Sequence, residues 1–321
     1  MNLPKIHSIT KKMFVGAVGA FLLLFLLFHM CANLCILRHD DGAWYSAFCH
    51  FMGTNWIVKV FEVVLLGVIA LHILLTLWLV VTNRMARPQR YHERPRTKTH
   101  TNSRFMALTG ILIFVLLIVH FCDFYFVKLG WVKGEYMVKT EKLINDDSGE
   151  LLQLMQYADR NGFDGAALVA NIESQAEEFG FQPNSEELQL FIENIRNKAS
   201  VIDIILRAEK EQNFSQDHKW VRHLTYDERN TLRRVMPESD PEPDFYFMAR
   251  EKFKHAYMVI MYLIFFVVVF LHISHAFPSV FQTFGLNNYK YNGFIEVLGK
   301  IYSWVILIGF SAVPLLVFFG L

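Results

Sequence analysis

The sequence predicts an all-α membrane protein: five transmembrane helices in a bundle, with a mostly helical insertion on the outer face. Two observations lead to this fold class. The 321 residues are 53% hydrophobic and 15% aromatic, which is too apolar for an ordinary soluble domain of this size. Five segments also reach the length of about 20 apolar residues that a helix needs to cross a bilayer. They cover residues 13–37, 56–82, 105–131, 256–284 and 297–320.

Lysine and arginine residues predict the orientation of these segments. The N-terminus and the connection between the second and third segments, which runs from Arg84 to Arg104, are basic and should be cytoplasmic. The first loop holds Asp40 and Asp41 and should lie outside. We therefore expect a multi-pass membrane protein with a cytoplasmic N-terminus. The first apolar run is too long for a cleaved signal peptide.

The connection over residues 132–252 differs in composition from the rest of the chain. It carries 24 of the 30 acidic residues, but it keeps enough Leu, Ile and Phe to form a core. We expect helices over 149–159, 166–179, 185–198 and 201–212, where apolar residues recur at helical spacing. The predicted domains are 1–131 (three spans), 132–252 (an acidic, mostly helical extracytoplasmic insertion) and 253–321 (two spans).

Four of the apolar segments carry a histidine deep inside: His29, His72, His120 and His272. An ionisable side chain at membrane depth usually marks a functional site. At about 1.5 Å per residue, His29 and His120 lie roughly 24 Å from the cytoplasmic ends of their segments, and the other two lie roughly 15–18 Å from theirs. Two pairs at two depths fit the axial ligands of two b-type haems, with His29 opposite His120 and His72 opposite His272. His275 follows His272 by three residues and is either an alternative ligand or a donor to a haem propionate.

Other polar residues complete the predicted site. Glu62 lies about ten residues, or 15 Å, outward of His72, where a carboxyl could exchange protons with a quinone; the alternative is a structural contact with Lys59. Arg84, Ser103 and Arg104 sit at the inner boundary and could donate to haem propionates or contact lipid head groups. Small residues such as Gly16 and Gly110 would let a flat ring or a neighbouring helix approach. The sequence contains no CxxC and no nucleic-acid motif, so a zinc ribbon, an iron–sulfur cluster bound by this chain and nucleic-acid partners are not expected.

Local sequence around these positions is similar to a known family. The matching stretches include Phe28–Leu34, His50–Asn55, Ser103–Arg104 and Leu271–Asn288. On these residues the chain resembles the five-helix, dihaem cytochrome b subunit of succinate dehydrogenase and fumarate reductase, in the form found in Bacteroidetes-type bacteria. The resemblance covers all five spans and leaves the acidic insertion outside it.

The resemblance implies a function and partners. One histidine on each of the first four helices would bind haem, with His272 favoured over His275. The chain would be the membrane anchor of a succinate:quinone oxidoreductase in a bacterial inner membrane. It would pass electrons through two haem b groups between an iron–sulfur subunit and a quinone, which the resemblance implies is menaquinone. A flavoprotein subunit with covalent FAD and the iron–sulfur subunit would dock on the cytoplasmic face, and the complex could be a homodimer of heterotrimers.

Two alternatives remain open at the level of sequence. The chain could be the cytochrome b anchor of a hydrogenase or formate dehydrogenase. It could also be a transporter or sensor that uses the histidines as a proton relay. A reduced optical spectrum and the identity of the soluble partner would separate these functions.

Overall fold

Most of the chain is helical. The computed structural model describes residues 8–85, 105–144, 149–176, 178, 180–182, 185–215, 218–286 and 288–320. Five helices in these ranges are long and apolar enough to cross a membrane, as predicted, so the chain is a multi-pass membrane protein. The spans, numbered here from first to fifth, are Lys12–Leu37, Trp56–Thr82, Met106–Leu129, Ala256–Thr283 and Tyr289–Phe318.

The secondary structure falls into the following elements. The α-helices are Ser8–Leu34, Ala43–Thr54, Trp56–Met85, Met106–His120, Phe126–Leu129, Thr140–Ile144, Glu150–Asn161, Gly165–Ser174, Glu186–Lys210, Tyr226–Val235, Phe245–Phe253, Ala256–Thr283 and Tyr289–Phe318. A π-helical turn covers Phe121–Tyr125, and short 3-10 helices cover Cys35–Leu37 and Pro237–Ser239. The strands are β1 (Tyr136–Lys139), β2 (Trp220–Leu224) and β3 (Glu242–Pro243).

The chain divides into two compact units. The membrane unit comprises the described residues of Met1–His39, Ala47–Cys122 and Ala249–Leu321. The inserted unit comprises those of Asp40–Ser46 and Asp123–Met248. The second unit therefore includes part of the first loop as well as most of the acidic connection.

Close helix packing organises the membrane unit. A buried apolar cluster joins Met30 of the first span to Ile273 of the fourth span and to Ile306 and Phe310 of the fifth. Gly309 makes this packing possible, because a Cβ atom there would meet the Met30 side chain. The Tyr302 hydroxyl donates to the Leu23 carbonyl oxygen at 2.6 Å, so a polar group on the fifth span is bonded inside the bundle.

The fifth span begins earlier than its hydropathy predicts. The predicted span starts at residue 297, whereas the helix starts at Tyr289. Asn288 caps it, since its side-chain oxygen accepts from the Lys290 backbone N–H at 3.0 Å. The first two turns are exposed and contain Lys290 and Asn292, so hydropathy alone does not detect them.

The inserted unit is built on a small sheet that the sequence analysis did not predict. Its strand order is β2-β1-β3, with both pairings antiparallel. The predicted helices at 185–198 and 201–212 form one helix, Glu186–Lys210, because Ala199 is buried in helical conformation and the Ser200 hydroxyl bonds back to the Arg196 carbonyl oxygen. The apolar faces of the helices and the sheet share one core, which includes Leu168, Ile202 and Leu232.

A buried ion pair ties the first loop into the inserted unit. Arg222 of β2 is 5% exposed and binds both carboxylate oxygens of Asp244, which is fully buried, at 2.7 and 2.9 Å. The same guanidinium donates to the Asp41 carbonyl oxygen at 2.8 Å and packs over the Tyr246 ring. Gly42 has φ +73° and leaves no room for a Cβ atom against Tyr246. Residues 40–46 are therefore held by β2 and by the start of the helix Phe245–Phe253.

Candidate functional site

The histidines of the first and third spans face each other inside the membrane unit. The ring centres of His29 and His120 are 6.0 Å apart and their planes are nearly perpendicular. Both side chains are half-buried at helix positions, and the surrounding rings are largely apolar: Phe25 and Phe310 lie 5.4 and 5.7 Å from His29. The packing of these two helices thus brings together two residues separated by 91 positions in the sequence.

Polar side chains lie next to both rings of this pair. The Asn33 side-chain nitrogen is 3.3 Å from Nδ1 of His29, and it also donates to the His29 carbonyl oxygen at 2.7 Å. The Tyr262 hydroxyl lies 3.5 Å from Nδ1 of His120. Tyr262 is buried and comes from the fourth span, and Phe310 comes from the fifth, so four spans contribute to the surroundings of one pair.

His120 is the last residue before a π-helical turn. The turn covers Phe121–Tyr125 within the third span. Single π turns inside α-helices are rare and occur often at functional sites, because the extra residue changes the direction of the side chains around it. The sequence analysis did not predict this irregularity.

The histidine of the fourth span contacts the third span. Nδ1 of His272 is 3.1 Å from the Thr109 hydroxyl oxygen. The neighbouring Gly110 lies beside the same ring, where a Cβ atom would be 3.5 Å from Cε1 of His272. His72 and His275 lie within electrostatic range of His272. Nδ1 of His72 is buried and has no hydrogen-bond partner in the described part of the chain.

The separation of His29 and His120 is compatible with a site in which two histidines bind one haem. Two imidazoles that bind one metal from opposite sides, at about 2 Å each, have ring centres about 6 Å apart, close to the separation of His29 and His120. Nδ1 of His72 is a buried polar atom with no hydrogen-bond partner among the described residues. No cluster of three or more His, Cys, Asp or Glu side chains that could hold a metal occurs in the described ranges. A haem needs only two protein ligands, so pairs of histidines suffice.

Some of the remaining predicted site residues lie on the described helices, and two lie outside the described residues. Glu62 is half-buried in the second span, next to Phe61, whose ring is 5.7 Å from that of Phe21. Arg84 lies exposed in the last turn of the helix Trp56–Met85. Ser103 and Arg104 lie outside the described residues. Gly16, predicted to allow close approach, faces Thr283, where a Cβ atom would be 2.8 Å from the threonine methyl carbon.

Thr109 and Tyr262 are site residues that sequence reasoning missed. Each is polar within an apolar span, and that is the signal that could have identified them. Their contacts with His272 and His120 depend on the rotation of one helix against another, which hydropathy does not fix. No family model, curated protein or solved structure matches this chain.

Proposed function

We propose that this chain is the membrane anchor subunit of a succinate:quinone oxidoreductase and that it carries electrons between an iron–sulfur subunit and menaquinone. The observation that carries the proposal is the neighbouring pair of rings, His29 and His120, whose centres are 6.0 Å apart in a chain with five apolar spans. The second pair consists of His72 and His272. The resemblance of segments such as Leu271–Asn288 to the dihaem cytochrome b family supports the same function.

Each pair of histidines would hold one b-type haem, and the haem supplies one-electron chemistry when bound. The residues of this chain keep the imidazoles neutral by excluding water, orient them, and separate the two pairs by depth. Apolar packing around His29 excludes water, and a hydrogen bond such as that between Thr109 and His272 orients the imidazole. Haem centres at two depths would make an electron path along the bundle.

The other proposed roles concern the ends of that path. Glu62, about 15 Å along the helix from His72, would exchange protons with the quinone. Arg84, Ser103, Arg104 and His275 would donate to haem propionates. The flavoprotein subunit with FAD and the iron–sulfur subunit would bind on the cytoplasmic side, where the basic connection at 84–104 lies in the predicted topology. These partners rest on the resemblance and on charge.

The first test is an optical spectrum of the purified chain, before and after reduction with dithionite. We expect a b-type α-band and two haems per chain. His29→Ala and His120→Ala should each remove the same spectral component, and His72→Ala and His272→Ala should each remove the other. His275→Ala, on the same helix as His272, removes a proposed propionate donor and no axial ligand, so it should weaken the binding of one haem without removing a spectral component.

Several results would contradict the proposal. A chain without a b-type band would favour the transporter or sensor alternative. Loss of one common component in His29→Ala and His72→Ala would refute the pairing. A copurified partner with nickel instead of covalent FAD would identify a hydrogenase anchor, while succinate-dependent reduction of the haems would support the present function.

A further inference from the structure

Thr109 is a buried polar residue in the third span, and its hydroxyl oxygen lies close to one oxygen atom and one nitrogen atom. It is 6% exposed. Its hydroxyl oxygen is 3.1 Å from the Met106 carbonyl oxygen, three residues earlier in the same helix, and 3.1 Å from Nδ1 of His272 in the fourth span. A hydroxyl group has a single proton to donate and two lone pairs that accept.

The direction of these bonds follows from their partners. The Met106 carbonyl can only accept, so a hydrogen bond to it uses the Thr109 proton. The lone pairs of the hydroxyl oxygen then accept from a protonated Nδ1 of His272. In a neutral imidazole with Nδ1 protonated, Nε2 carries the free lone pair that binds a metal.

We propose that Thr109 is a positioning residue that holds His272 in the Nδ1–H form and presents Nε2 as the haem ligand. This inference rests on the proposed function. A hydrogen bond from the far nitrogen of a ligating histidine fixes its orientation and makes the ligand more basic. A more basic ligand stabilises the oxidised metal, so Thr109 lowers the midpoint potential of the haem that His272 binds.

The second span provides a natural comparison for this contact. Thr76 lies one turn after His72, but its hydroxyl bonds only to the backbone carbonyl oxygens of His72 and Ile73, at 2.7 and 3.1 Å. Nδ1 of His72 has no partner among the described residues. The two histidines of this pair are therefore held differently: the His272 ring has a hydroxyl partner from another span, and the His72 ring has none in the described chain.

The test compares three variants by redox titration of the purified chain. Thr109→Val keeps the shape of the side chain and removes the hydroxyl, Thr109→Ser keeps the hydroxyl, and Thr76→Val removes a span hydroxyl that does not contact an imidazole. We expect Thr109→Val to lower the oxidised-to-reduced ratio of one haem about tenfold at fixed potential, a rise of about 59 mV in its midpoint potential. Thr109→Ser and Thr76→Val should titrate like the wild type.

The possible results distinguish the role of Thr109 from the proposed two-haem function on which it rests. A second result would also support the inference: Thr109→Val loses the haem that His272→Ala removes, whereas Thr109→Ser keeps it. Unchanged midpoint potentials in Thr109→Val, or equal shifts in Thr109→Val and Thr76→Val, would overturn it while the two-haem function stands. A wild-type chain that binds no haem would overturn both.

Discussion

The two units of the chain place apolar and polar groups in opposite ways. In the inserted unit, large aliphatic side chains such as Leu168 and Leu232 are fully buried, as in a water-soluble protein. In the membrane unit, no residue of the most apolar stretch of Trp56–Thr82 is buried, and Leu74 is 65% exposed. The buried positions there include polar side chains, among them Thr109 and Ser303.

This contrast follows from the solvent that each unit requires. Lipid tails are as apolar as leucine, so apolar burial gives spans little reason to associate, whereas close packing and internal hydrogen bonds do. In water, burial of apolar surface is the main driving force. The membrane unit therefore keeps bonded polar groups such as Thr109 and Ser303 inside, and the neighbouring rings of His29 and His120 lie in the same unit.

The largest effect is expected when one partner of the buried ion pair in the inserted unit is removed. Arg222→Ala leaves the buried Asp244 carboxylate without its cation, which should destabilise the inserted unit by about 3–5 kcal/mol. Native-state proteolysis within 150–240 would measure this change. Glu211→Ala, which removes a surface ion pair with Arg207, is the control and should cost less than about 1 kcal/mol. Equal effects of the two variants would show that burial does not determine the contribution of the pair.

The next prediction compares the same substitution, leucine to alanine, in each of the two units. Leu232→Ala opens a cavity in the core of the inserted unit and should cost about 2–5 kcal/mol. Leu74→Ala removes the same atoms from a face of the second span exposed to lipid and should change insertion by less than about 1 kcal/mol. Proteolysis of the inserted unit and retention of the folded chain in detergent are the two measurements. A large loss in Leu74→Ala would mean that this face packs against protein.

The last expected effect is a pH dependence in the inserted unit. Burial raises the pKa of Glu242 from 4.5 to about 8, and repulsion by Asp240 adds to this more than Lys139 opposes it. The folded unit then keeps a proton that the unfolded chain releases, so its stability falls as the pH rises from about 5 to 8.

Glu242→Gln, which cannot ionise, should flatten that fall in a denaturation series from pH 5 to 8. Glu238→Gln, at an exposed position in the same connection, should leave the slope of the wild type unchanged. If the stability of Glu242→Gln falls with pH as steeply as that of the wild type, another group causes the pH dependence.

Prediction from the sequence succeeded where one physical signal dominates. Long apolar runs predicted the five spans, and the start of the fifth was wrong only because Asn288 caps a polar first turn. The three strands were missed because they are two to five residues long, and β1 is buried on both sides at Tyr136–Val138, so no alternation of polar and apolar residues marks it.

The candidate site shows the same division. The depth of each histidine can be counted along its helix, and this count predicts that His29 and His120 lie at one level, where their ring centres are 6.0 Å apart. The partners Thr109 and Tyr262 could not be predicted, since a contact between spans depends on how each helix is rotated about its axis. Sequence patterns in a fully apolar helix carry little information about that rotation.

The bond from Arg222 to the Asp41 carbonyl joins positions 181 residues apart and has a consequence for biosynthesis. At about 5–20 residues per second, the ribosome needs roughly 10–40 s to make Arg222 after Asp41. Throughout that interval the first loop has been made but lacks its partner. A chain that stops before Arg222 leaves the inserted unit open and also lacks His272, so one truncation removes both the completed unit and the last histidine.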